Sequence, residues 1–310
     1  MDKVKDFESF YTLNIQPYAD ELDGNRIALK NWKVFTFATG LFCLLSFVLF
    51  HLKRFPSGGL LAVAFLVMCI TGIYFCTLYQ DRYIDDFKEK IIRQIITYIS
   101  PGAIYKPMGF VSKKEYRASG LFRRKFTHFD GNDYWESDYN GMGFHCSEIE
   151  SSYRDATGGE TIFKGLFLTV KLQNNFSGGT YVWAKKNVQL PASIADERYR
   201  MYAMPGIEKF RTGSTDFDKT FAVYCTNSSE AGSLLGGGMT SRMLLLKERL
   251  KKEIVFSFVG GRCYVAIPFA EDLLEPVAKG VYDKGAIRNY FYTILLVFNI
   301  IKKLELQRPT

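Results

Sequence analysis

The residues of this chain that could do chemistry are three histidines, six cysteines and a run of carboxylates. His145 stands beside Cys146, a combination that a thiolate nucleophile and its base would use. Neighbours on a strand point to opposite faces, so the doublet predicts no dyad. His51 and His128 stand apart. With no H-E-x-x-H, no C-x-x-C and no other spaced ligand set, no metal site is expected. Asp130, Asp133, Glu136 and Asp138, followed by Glu148 and Glu150, could gather oxygens around a hard cation. The EF-hand spacing is missing, and a solvated loop is the plainer meaning. Gly232 and Gly236-Gly237-Gly238 suggest a phosphate cradle, yet neither Gly-Lys-Ser/Thr nor G-x-G-x-x-G is present. The glycines read as a break in a helix.

Two charged groups remain as site candidates. Asp133, Glu148 and Lys164 place paired charges beside turns, where a ligand or partner could be held; the alternative is a surface ion pair between Glu148 and Lys164. Arg123, Arg124 and Lys125, beside Phe122 and Phe126, suit anionic lipid head groups or simply water. Nothing here calls for a cofactor, and the balance leans away from an enzyme.

The elements that must carry these residues divide the chain in two. Val34 to Leu52 has no Asp, Glu, Lys or Arg and one histidine, His51, and Gly58 to Tyr79 has none of these five types. About 20 apolar residues of helix cross a hydrocarbon core, so both runs are expected to span a membrane. Lys53 to Ser57 is too short to hold a domain, so the spans form a hairpin with both flanks on one side. Arg26, Lys30, Lys33, Arg82, Lys88, Lys90 and Arg93 flank the open end, against Lys53 and Arg54 in the tight loop. Seven against two predicts cytoplasmic termini and a multi-pass protein of the cell (inner or plasma) membrane. Gly40, Ser46, Gly59, Ala62, Ala64 and Gly72 would let the two helices approach closely. The acidic and basic first thirty residues do not read as a cleavable signal.

Residues 1–33 form an N-terminal segment in which Val4, Phe7, Phe10, Tyr11 and Ile15 recur at helical spacing, against either the membrane surface or the soluble domain. Spans at 34–52 and 58–79 flank a loop at 53–57, and 80–100 reads as a juxtamembrane helix ending at Ser100-Pro101-Gly102. From 101 to 310 the pattern changes to short runs broken by turns. Leu166 to Leu172 alternates as a strand; Asn174 to Gly179 reads as a turn and Thr180 to Trp183 as the returning strand. Phe221 to Cys225 is a further strand, Ser228 or Ser229 a helix cap, and Met239 to Lys252 a helix. Ile254–Phe258, Gly260-Gly261 and Cys263–Pro268 make the clearest hairpin. Tyr290 to Leu306 is too short a run for a third span and reads as a packed helix, with membrane association the alternative. The fold class expected is α+β: a transmembrane helical hairpin followed by a soluble, cytoplasmic domain with a mainly antiparallel sheet and packed helices.

Composition agrees with both halves. The 310 residues are 47% hydrophobic and 23% charged, with a net charge of +8. This excludes a disordered tail, a collagen repeat and a small disulfide scaffold. Mean hydropathy near zero is what an uncharged hairpin and a polar domain give when averaged. The unpaired cysteine spacing predicts reduced, packed thiols. The positive balance is spread and carries no nucleic-acid motif, so no nucleic-acid partner is expected.

Several phrases taken in order carry a resemblance: Ser119-Gly120-Leu121-Phe122, Asp133, Gly143-Phe144 with Ser147-Glu148, Ile162 to Phe167, Phe217 to Tyr224 and Leu304-Glu305-Leu306. With the two spans, they are similar to a family of bacterial two-span membrane proteins built on a domain of unknown function, some members labelled galanin. The chain departs from that family's pattern after Ala231, where Gly232 to Gly238 stands. The resemblance implies a bacterial cell membrane and neighbouring membrane proteins as partners, but no activity, substrate or catalytic residue. The expectation is a non-enzymatic, membrane-anchored binding or assembly module whose partners are the lipid bilayer and other membrane proteins. Alternatives are a membrane-bound metal-dependent hydrolase using the acidic run and an anionic-lipid surface sensor using the basic cluster.

Overall fold

The computed structural model describes residues 6–155, 158–173, 176–185, 206–276 and 283–304. The chain divides into two compact units, Met1–Tyr98 with Glu275–Phe291, and Ile99–Leu274 with Tyr292–Thr310.

The first unit begins with a short helix, α1 (Phe7–Phe10), capped by Asp6, whose carboxylate accepts from the Glu8 and Ser9 amides. The long helices α2 (Ala19–His51) and α3 (Gly58–Phe87) follow. Within them, Gly24–His51 and the helical run Gly58–Ile99 are long and apolar enough to cross a membrane. Protein buries 6% and 11% of their most apolar stretches, which sets them apart from the core helices of a soluble protein. Phe37, Leu60 and Val67 stand in the open at 76%, 80% and 58% exposure. The faces that meet are small, as the sequence leads one to expect. A Cβ on Gly72 would lie 2.4 Å from Thr36 Oγ1, and one on Gly58 2.8 Å from the Ser46 carbonyl oxygen. Trp32 stacks on Phe75 at 4.4 Å. The Thr36, Thr39, Thr71 and Thr77 hydroxyls turn back to carbonyls of their own helices, as threonines within helices do.

Helix α3 continues through a π turn, Lys88–Ile92, into α4 (Arg93–Ile99), and the run stops at Pro101 and Gly102 (φ +89°). Phe87, Ile91, Ile95 and Ile99 are buried along one stripe. Phe7 and Phe10, part of the N-terminal apolar stripe, pack on Phe291 at 5.6 and 5.4 Å, and Phe10 on Tyr98 at 4.8 Å. These contacts lie within the first unit; Val4 lies outside the described residues. Lys88, counted above among the flanking charges, is 2% exposed and pairs with Glu275 at 2.6 Å.

The second unit is a nine-stranded antiparallel sheet in the order β1-β2-β3-β4-β9-β8-β5-β7-β6. The strands are β1 (Ile104–Lys106), β2 (His128–Tyr139), β3 (Met142–Asp155), β4 (Gly158–Lys171), β5 (Thr180–Ala184), β6 (Glu208–Phe210), β7 (Phe221–Cys225), β8 (Val255–Val259) and β9 (Arg262–Pro268). The helices are α5 (Lys113–Ala118), α6 (Thr215–Thr220), α7 (Ser228–Leu235), α8 (Met239–Leu250) and α9 (Lys284–Leu304), which belongs to this unit from Tyr292 onward. Alternation assigns the two faces. One face carries Phe163, Phe167, Trp183, Tyr224 and Tyr264, with Tyr116 and Phe122 stacked at 5.2 Å above them. The other carries Trp135 and Phe144, covered by Phe298 of α9 at 5.5 and 5.3 Å.

The α+β expectation holds, and the Gly260-Gly261 hairpin forms as the sequence predicts, with φ of +57° and +71°. All six cysteines are free. The Gly-rich stretch is a break between α7 and α8, with Gly237 and Gly238 in the left-handed region. Two local expectations change. Thr180–Trp183 does not return along β4, whose edges are taken by β3 and β9; β5 lies between β8 and β7. Its lead-in is tied elsewhere: Gly178 N donates to Glu230 (2.9 Å) and Gly179 N to Thr226 Oγ1 (2.8 Å). Asn174 and Asn175 of the expected turn lie outside the described residues. The cap of α7 is Asn227, which accepts from the Ser229 and Glu230 amides, one residue before Ser228. Helix α9 begins six residues before Tyr290; Glu305 and Leu306 lie outside the described residues.

Candidate functional site

The acidic phrase on β2 is shaped by a bulge. Asn132 pairs with Glu148 and Trp135 with Cys146, so Asp133 and Tyr134 together oppose Ser147. Asp133 takes φ +56°, which Asp tolerates better than most residues. The displaced amides are satisfied locally: Asp133 N donates to the Pro107 carbonyl at 2.8 Å and Tyr134 N to that of Gly109 at 2.9 Å. The bulge turns Asp133 inward, where it is 1% exposed and accepts from the Tyr105 hydroxyl.

Glu148, opposite on β3, is 7% exposed. Its carboxylate accepts from the Leu273 amide at 2.9 and 3.0 Å and from the Leu274 amide at 3.1 Å. Burial pushes its pKa up to about 7; the Leu273 amide opposes this, and the negative charges of Asp133 and Asp272 add to it. Lys164 of β4 does not pair with Glu148. It faces its cross-strand partner Glu150 at 3.6 Å and bonds Asp272 at 2.9 Å, and those carboxylates, Asp272 foremost, raise its pKa. Glu148, Lys164, Glu150, Asp272, Asp130 and Asn132 line one cleft of about 150 Å³. Thus Glu148 and Lys164 come together in one cleft with separate partners, and Asp133 lies behind it. The anticipated Glu148–Lys164 ion pair is replaced because register sets Lys164 against Glu150 and Glu148 against Leu166.

Asp272 and the Leu273-Leu274 amides are the members that sequence reasoning missed. The two amides sit 125 and 126 residues from Glu148, and Asp272 immediately precedes them. The only local signal was a carboxylate-rich stretch, Glu271-Asp272, just after the strongest hairpin.

The other acidic residues disperse. Glu136 accepts from the Tyr134 hydroxyl at 2.5 Å and Asp138 from the Gly141 amide at 2.6 Å, in the turn after β2. Among the described residues, no three His, Cys, Asp or Glu side chains are grouped to hold a metal ion. His145 points away from Cys146, as strand alternation requires, and its Nε2 lies 2.7 Å from Glu115, which also pairs with Arg262 at 3.3 Å. Burial drives the Cys146 thiol far above its ordinary value, which leaves it inert as a nucleophile. In the basic cluster, Arg123 donates to the Gly120 carbonyl and the Tyr181 hydroxyl, both at 3.1 Å. Arg124 pairs with Glu160, and Lys125 is exposed.

Residues 161–306, from within β4 through α9, match a family model described as a protein of unknown function, DUF3137. This agrees with the coarser part of the resemblance, a domain of unknown function. No curated protein matches the chain. Among solved structures it is similar to the mycobacterial trehalose monomycolate transport factor A, TtfA. The identity is 11% and the TM-score 0.35, over 73% of this chain and 98% of that one. A likeness this slight is no basis for a functional argument.

Proposed function

We propose that this chain is a non-enzymatic, membrane-anchored binding or assembly module. Helices α2 and α3 cross the bilayer as a hairpin with both ends on the cytoplasmic side, and the sheet domain offers the Lys164 cleft to a membrane-protein partner. The observation that carries the reading is the exposure of the hairpin: long apolar helices whose side chains are left uncovered by the rest of the chain need lipid as solvent. The cleft suits docking because Lys164, Glu150 and Asp272 are between about a third and a half exposed, so a partner's charged groups can exchange with theirs. Catalysis finds less support: Glu148 is occupied by backbone amides, and the other carboxylates are spread among lysine, tyrosine and amide partners.

The reading is tested by crosslinked co-purification from native membranes, comparing the wild-type chain with a Lys164→Ala/Asp272→Ala variant. The expected result is recovery of defined membrane proteins with the wild-type chain and their loss, by about tenfold, with the variant, since two charged contacts are removed. Equal recovery by both chains would overturn the role of the cleft; no specific partner with either would overturn the module.

A further inference from the structure

A second cleft, of about 330 Å³, lies at the other end of the sheet beside β6 and β7. Its charged lining is Lys185, Lys209, Arg211 and Lys219 against one carboxylate, Asp218. That carboxylate is already engaged. Its Oδ1 accepts from the Thr212 amide at 3.2 Å and the Thr212 hydroxyl at 2.9 Å, which ties the loop carrying Arg211 to α6. The Lys185 ammonium bonds the Asp218 carbonyl oxygen, so it too is held in place. Among the described residues, Lys209, Arg211 and Lys219 have no carboxylate at ion-pair distance. Lys88, Arg124, Lys164 and Lys247 all have one. The floor is the buried apolar backbone strip Phe221-Ala222-Val223 of β7, and beside a low-dielectric floor an ionic contact strengthens.

We infer that this cleft is an anion site for a phosphate group, either free or carried on a small molecule or lipid. Four cations around one cavity repel one another until an anion enters, and a phosphate monoester brings close to two negative charges and three acceptor oxygens. Arg211 supplies the planar fork that meets two of those oxygens, and the lysines supply mobile point charges. The volume exceeds what a bare phosphate fills and falls at the lower end of small-ligand pockets, leaving room for an attached polar group. This inference does not rest on the docking role of the Lys164 cleft.

The test is titration calorimetry of the full chain in neutral-detergent micelles with inorganic phosphate, at ionic strength held constant with chloride. Saturable binding is expected. It should weaken by about tenfold or more in Lys209→Ala/Arg211→Ala, whose residues are exposed. Arg211→Lys, which keeps the charge but loses the fork, should fall between them. Lys113→Ala/Lys114→Ala, of like charge elsewhere, should leave binding unchanged. Repeating the titration in micelles doped with phosphatidic acid separates the sources. Suppressed phosphate heat means that the lipid head group fills the site, whereas unchanged heat means a soluble phosphate does. No saturable heat with the wild-type chain, or equal binding by Lys209→Ala/Arg211→Ala, would overturn the inference.

Discussion

The hairpin of α2 and α3 and the sheet domain both carry many large apolar side chains, and they use them in opposite ways. In the sheet domain Trp135, Trp183, Phe122 and Phe167 are all within 2% of full burial. In the hairpin Phe37, Leu41 and Leu60 are more than half exposed, and the two helices meet through glycine, threonine and cysteine together with the Trp32–Phe75 and Phe42–Phe65 stacks. The difference fits the proposal that lipid covers the hairpin, whereas in the sheet domain the chain covers its own apolar side chains. The same substitution should therefore have different consequences in the two places.

The largest difference is expected for phenylalanine. Phe167→Ala should cost about 3–5 kcal/mol of domain stability by cavity formation. Phe37→Ala should leave the thermal midpoint of the sheet domain unchanged, as read by calorimetry. Next, Leu66→Arg, on the exposed face of α3, should cost about 2.5–3.5 kcal/mol in a membrane-insertion assay. An arginine at an exposed domain position such as Met108 should cost nothing there.

Glu148 sharpens the contrast from the domain side. A buried carboxyl whose folded pKa is raised to about 7 from an ordinary 4.5 favours the protonated fold. Its contribution is full below about pH 4.5 and is lost as pH rises through 7, amounting to roughly 3 kcal/mol. Glu148→Gln, neutral throughout, should remove that part of the pH dependence in thermal melts between about pH 5 and 8. A slope unchanged by the substitution would break the account of this residue. Smaller again is Gly72→Val, which must displace Thr36 and should loosen the hairpin by about 1–3 kcal/mol, seen as easier unfolding in detergent. Smallest is Lys164→Ala, whose partly exposed ion pairs should contribute less than about 1 kcal/mol to stability, so that its effect is confined to partner recovery.

How far the sequence could be read follows the range of the interactions. The hairpin was legible because lack of charge over twenty residues is a local property. The β8–β9 pair was legible because Gly260-Gly261 permits one short connection. The placement of β5 was not, because pairing with β7 and β8 is decided by strands 37 or more residues further along. At the candidate site, the charged types at Asp133, Glu148 and Lys164 stood out, but their partners did not. Asp133 faces inward because of a bulge, and Glu148 is clamped by amides 125 residues away. The cation cleft was invisible for the same reason: Lys185, Lys209, Arg211 and Lys219 become neighbours through β6 joining the sheet edge.

Whether lipid is the solvent of α2 and α3 is decided by alkaline carbonate extraction of membranes from cells making the full chain. The chain should stay in the membrane pellet through carbonate and through urea, and leave it only with detergent. Release of the chain into the carbonate supernatant would contradict a lipid solvent.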